Sequence, residues 1–132
     1  MNSPRLISAA SLILGLAVVL GAFGAHGLEK TLSEKALATY QTGITYHFIH
    51  GLALLALGTM ILPREIFKLP VIFFCLGLGL FSGFCYLYAI TGVKSFAMVV
   101  PFGGLSFILG WLVLAFKTFN LKQSSSLDSN TR

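Results

Sequence analysis

The residues best suited to chemistry lie in one stretch, Tyr40-Gln41-Thr42-Gly43-Ile44-Thr45-Tyr46-His47-Phe48-Ile49-His50. On a helix each residue turns by about 100°, so with Tyr40 at zero Gly43 falls at about 300°, His47 at about 340° and His50 at about 280°. Tyr40, Gly43, His47 and His50 therefore share a stripe, with Tyr46 at its border and Gln41 pointing elsewhere. An H-x-x-H pair on one helix face suits a shared metal or a haem. Such a centre needs three or four ligands, and the apolar runs contain no Asp or Glu. His26 is the one other histidine. We therefore expect no metal, no cofactor and no catalytic constellation. Two readings of the stripe remain. Imidazoles titrate near neutrality and could carry protons or line a small-ligand route, or the histidines and tyrosines hydrogen-bond across helices as packing glue. His26 would either cap the end of its own helix or reach Tyr40 or His47.

The elements that must position this stripe follow from composition. Of the 132 residues, 56% are hydrophobic and 10% are charged, against about 25% charged in a typical soluble domain. Mean hydropathy is +0.88. These values exclude a soluble globular domain and a disordered chain. The net charge of +5 does not form a basic stripe interleaved with aromatics, so no nucleic-acid partner is expected; the partner is the lipid bilayer. Cys75 and Cys85 fall in one apolar run about 15 Å apart along a helix, too far to bridge. They read as small buried hydrophobes.

A spanning helix needs about 20 mostly apolar residues. Four runs qualify: Leu6–Ala25, Ala36–Leu62, Leu69–Thr91 and Phe96–Phe116. The expected fold is all-α, an integral-membrane four-helix bundle over residues 1–116, with a polar, disordered tail over residues 117–132. Pro70 is expected to open the third helix, Gly92 to cap its end, and Pro101 either to start or to kink the fourth. Leu28–Lys35 is a candidate short interfacial helix. If the second helix begins near Ala36, His47 lies about 16 Å and His50 about 21 Å along it, near the middle of a bilayer. Arg5, Arg64, Lys68, Lys117, Lys122 and Arg132 fall on one side of such a bundle, and Lys30, Lys35 and Lys94 on the other. The positive-inside rule then places both termini in the cytoplasm, in a multi-pass protein of the cell membrane (the bacterial inner membrane).

Small residues line several helix faces. Gly21 and Gly24 lie three apart, Gly79 and Gly83 form a GxxxG, and Gly103-Gly104 precedes Ser106 and Gly110. Helices in lipid associate through close backbone packing, so Gly21, Gly24, Gly43, Gly79, Gly83, Gly103 and Gly104 are expected to pack helices within one chain or between copies.

Taken together, Gly21-Ala22-Phe23-Gly24-Ala25-His26-Gly27-Leu28, Tyr40-Gln41-Thr42-Gly43, Tyr46-His47, His50, Leu80-Phe81-Ser82-Gly83 and Pro101-Phe102-Gly103-Gly104 resemble the family defined by domain of unknown function 423. This is the YgdD/YwdK-like group that includes animal transmembrane protein 256. The resemblance covers nearly all the chain before its polar tail and departs from the pattern at Phe84-Cys85-Tyr86. It implies a multi-pass membrane protein and little more, with no catalytic residues to carry over. The expected function is thus a non-enzymatic structural or assembly component of the membrane, with a homo-oligomer or a membrane protein as partner. The alternative is a small oligomeric transporter or channel with a His/Tyr-lined route.

Overall fold

The computed structural model describes residues 3–129, with side chains placed up to Leu121. The chain forms four helical rods. The first is α1 (Pro4–Phe23), continued by a π-helical turn (Gly24–Leu28). The second is α2 (Glu34–Thr59). The third joins α3 (Arg64–Gly77), a π segment (Leu78–Gly83) and α4 (Phe84–Thr91). The fourth is α5 (Lys94–Ser129). No strand occurs among the described residues.

Local chemistry sets the ends. Pro4 occupies the first turn of α1, where its missing N–H costs nothing. The Ser33 side chain accepts a hydrogen bond from Ala36 N at 3.3 Å and caps α2. Gly92 adopts φ +69° and sends its N–H to Tyr88 O at 2.8 Å, the left-handed stop that glycine permits.

Several boundaries differ from expectation. The third rod starts at Arg64, directly after Pro63, so Pro70 lies inside α3 rather than at its head. Pro101 lies beyond the first turn of α5, which begins at Lys94. Neighbouring helices make such internal prolines tolerable in membranes. Leu28–Lys35 is not a separate helix: Thr31 N and Leu32 N both turn back onto Leu28 O, and α2 begins at Glu34. α5 runs to Ser129, through most of the polar stretch that begins at Lys117; residues 130–132 lie outside the described residues. Cys85 is buried, but Cys75 is exposed, because its face of α3 turns away from α5.

Three rods are long and apolar enough to cross a membrane: Pro4–Leu28, Arg64–Thr91 and Lys94–Leu121. The second rod is not among them. Tyr40, Gln41, Thr42, Thr45, His47 and His50 dilute its apolar content. Yet α2 occupies the centre. Its buried stripe runs Tyr40, Gly43, Ile44, His47, His50, Gly51, Leu54, Leu57 and Gly58, the spacing of one helix face. In α1 only Ala10 and Ala17 are buried. The backbone of α1 approaches α2 closely and neither the third rod nor α5, while α5 packs along the third rod. The rods therefore adjoin in the order α1, α2, third rod, α5.

Two apolar clusters stand at opposite ends of α2. One gathers Ala10, Leu54, Leu57, Phe67, Phe74 and Phe107; the other gathers Leu28, Tyr40, Ile44 and Ala89. Glycines mark the closest approaches. A Cβ on Gly103 would overlap the Leu80–Phe81 backbone, and one on Gly77 the Phe107 ring. Gly51, Gly58 and Gly110 are similarly crowded by Leu14, Ile7 and Phe74. Gly79 faces open space and Gly83 makes only a 3.8 Å contact, so their GxxxG is not a packing face within this chain.

Gly103→Ala is expected to lower the thermal unfolding midpoint in detergent, at a cost of about 1–3 kcal/mol. Gly79→Ala should be neutral or stabilising by up to about 1 kcal/mol. Similar midpoints for the two variants would contradict this packing.

Candidate functional site

The stripe on α2 is held by residues from all three other rods. Tyr40 is fully buried. Its hydroxyl donates to Leu20 O of α1 at 2.8 Å, and its ring lies against Gly24, where a Cβ would come within 2.5 Å. The opposite side of the Tyr40 ring meets Tyr86, with centroids 4.9 Å apart. Gly43 provides the room for Tyr86 and Cys85 of α4.

The two histidines diverge. His47 Nδ1 lies 3.0 Å from the Tyr86 hydroxyl on α4. His50 turns towards α5, where Trp111 Nε1 donates to His50 Nε2 at 3.1 Å. An indole N–H can only donate, so Nε2 is an acceptor and the ring proton sits on Nδ1, which donates to Tyr46 O at 3.0 Å. His50 is therefore a neutral imidazole with both nitrogens engaged. It stacks on Phe107 with centroids 3.5 Å apart and planes 9° apart, and Phe74 packs beside it at 5.3 Å. This arrangement leaves His50 no lone pair for a metal. The H-x-x-H spacing joins two different helices instead of forming one ligand pair.

Of the remaining candidates, His26 and Gln41 lie apart and Tyr46 borders His50, with ring centroids 6.0 Å apart. His26 and Gln41 are exposed, and it is Gly24, not His26, that meets Tyr40. The Tyr46 ring is 39% exposed and rests on Phe81 at 4.5 Å. Gly21 and Gly104 make ordinary contacts with Ile44 and Phe81. Sequence reasoning missed Tyr86, Phe107 and Trp111. Trp111 is the single tryptophan of the chain and Tyr86 is one of two tyrosines, with Tyr88, in an apolar run; these are signals of polarity but not of partner. Among the described residues no group of three or more His, Cys, Asp or Glu is placed to hold a metal.

Trp111→Phe should destabilise the protein by about 1–2 kcal/mol, since it strands a buried acceptor. Gln41→Ala should change stability by less than about 0.5 kcal/mol. In a double-mutant cycle, His50→Phe and Trp111→Phe should be coupled; strictly additive effects would contradict the assigned hydrogen bond.

Comparison with known proteins adds the lineage. The family model described as "Protein of unknown function (DUF423)" matches residues 20–104, a range that takes in Tyr40, His47, His50 and Tyr86 but not Trp111. A UPF0382 membrane protein of Staphylococcus saprophyticus is 42% identical over 109 residues, covering 80% of this chain and 89% of the relative. The UPF0382 inner membrane protein YgdD of Escherichia coli K12 is 39% identical over 109 residues, covering 80% and 82%. A UPF0382 membrane protein of Staphylococcus haemolyticus is 38% identical over 105 residues, covering 79% and 86%. No solved structure matches the chain. With its apolar rods and these relatives, the chain belongs to the DUF423 family, also named UPF0382, and is a multi-pass membrane protein.

Proposed function

We propose that all four rods cross the membrane as one bundle with both termini in the cytoplasm. In this reading the protein is a non-enzymatic structural or assembly component, and its polar stripe is interhelical glue. The observation that carries the reading is His50, whose two nitrogens are both taken up by Tyr46 O and Trp111 Nε1. A group so engaged holds helices together and has nothing left to offer a substrate.

Several features support the finer points. α2 has 26 residues, about 39 Å of helix, enough to cross, and it turns Tyr40, His47 and His50 inward while Gln41, Thr42 and Thr45 stay exposed. Arg5, Arg64 and Lys68 gather at one end, with Lys117 Nζ donating to Glu65 O beside them, which favours that end for the cytoplasm. The long exposed faces of α1 and α5 are available to lipid, a second copy or a membrane-protein partner. The transporter reading asks for a polar route, whereas the space beside His47 is lined mainly by Ile13, Leu16, Leu20 and Leu78.

Reporter fusions at either terminus should signal from the cytoplasm. After gentle solubilisation the protein should migrate in an assembly larger than its own 14.2 kDa chain plus detergent. Reconstituted vesicles should show no proton flux above empty ones. A flux abolished by His47→Ala would replace this reading with the transporter.

A further inference from the structure

The rods leave one cleft. α1 runs antiparallel to α2, since Ser3 N donates to Gly58 O at one end and Gly24 meets Tyr40 at the other. The third rod is antiparallel to α2 as well, since Tyr86 meets Gly43 and Phe74 meets His50. α1 and the third rod therefore run parallel, each leaning on α2, and their backbones do not approach each other. Between them, two spaces with no lining residue in common open one after the other and make up a trough. Leu6, Ile13, Leu16 and Leu20 form its α1 wall, a single helical stripe. Phe67, Val71, Cys75 and Leu78 form the opposite wall.

The trough differs along its length. At its mouth a cavity of about 750 Å³ is lined by Arg5, Arg64 and Lys68 together with Ser3, Leu6 and Phe67. Glu65 is not in that lining. Farther in, a second space of about 280 Å³ has His47 and Tyr86 in its lining and is otherwise almost wholly apolar. From Leu6 to Leu20 the α1 wall extends about 21 Å, the scale of one lipid acyl chain. Both helices that open at the mouth, α1 and α3, start without a side-chain cap, so their free N–H groups and positive dipole ends add to the three cations.

We propose that this trough binds one anionic phospholipid. Its phosphate sits among Arg5, Arg64 and Lys68, and one acyl chain lies between α1 and α3 towards His47. The charge pattern selects the occupant. Two guanidiniums and an ammonium at the membrane boundary match a phosphate, and basic pockets between spanning helices are suited to anionic headgroups. A zwitterionic lipid carries the same chain but brings its own cation to the mouth. The proposal requires only that the rods lie in a membrane, not that the preceding reading of function or orientation hold.

Native mass spectrometry of the full chain in detergent tests it, with phosphatidylglycerol or phosphatidylcholine of identical chains as probe. One phosphatidylglycerol should be retained per chain. The triple variant Arg5→Gln, Arg64→Gln, Lys68→Gln should bind it on the order of 100-fold more weakly. The variant Lys30→Gln, Lys35→Gln, Lys94→Gln loses the same charge at the opposite end and should bind it as the parent does. Equal retention of phosphatidylcholine, or equal loss in both triple variants, overturns the site. Cys75 lines the trough and is exposed while Cys85 is buried, so alkylation by N-ethylmaleimide reports occupancy. Phosphatidylglycerol should slow it several-fold in the parent, and inorganic phosphate should not. Unchanged alkylation on lipid binding, or equal slowing by phosphate, overturns the placement of the chain.

Discussion

A hydrogen-bonding group buried between helices has no water to turn to, and this constraint organises the molecule. The most polar rod, α2, turns Tyr40, His47 and His50 to its buried face, where the rings find partners, and leaves Gln41, Thr42 and Thr45 exposed. Tyr40 is satisfied by the Leu20 carbonyl of α1, His47 by Tyr86 of α4, and His50 by Trp111 of α5. Each bond is modest, about 0.6–1.7 kcal/mol in membranes. Their value lies in direction, since each fixes how a different rod is rotated about α2. Ser82 is the exception, with a buried hydroxyl that has no partner among the described residues.

The glycines follow from the same constraint. Hydrogen bonds near 3 Å require backbones close enough for short side chains and flat rings to meet. Gly24 and Gly43 make room for Tyr40 and Tyr86, and Gly103 admits the wide π-helical backbone at Leu80–Phe81. Gly77 and Gly110 seat Phe107 and Phe74, the two rings that pack on His50. Glycine function here is set by what stands opposite, which is why the Gly79/Gly83 spacing makes no close approach to another helix of the chain while the isolated Gly51 and Gly58 do.

The same geometry leaves α1 less attached than the other rods. It is joined to the rest through α2, so the side that faces the third rod stays open. That opening carries the basic residues at one end and the His47–Tyr86 pair farther in. Arg5, Arg64 and Lys68 converge on one cavity because parallel helices begin side by side.

Much of this was legible from residue types. Apolar runs with charges only at their ends dictate a helical membrane protein, since only helices and closed barrels satisfy their own backbone in lipid. The 100° periodicity placed Tyr40, Gly43, His47 and His50 on one inward face, and Gly92 marked the end of the third rod. What periodicity cannot supply is the identity of the facing atoms. The spacing of His47 and His50 looks like a ligand pair, but their partners Tyr86 and Trp111 lie 39 and 61 residues along the chain. Only the packing of four rods sends one ring to α4 and the other to α5. Likewise the sequence alone placed Arg5, Arg64 and Lys68 on one side of the bundle, while the tertiary structure decided that they share a cavity, because α2 holds two parallel helices near each other without bringing their backbones together.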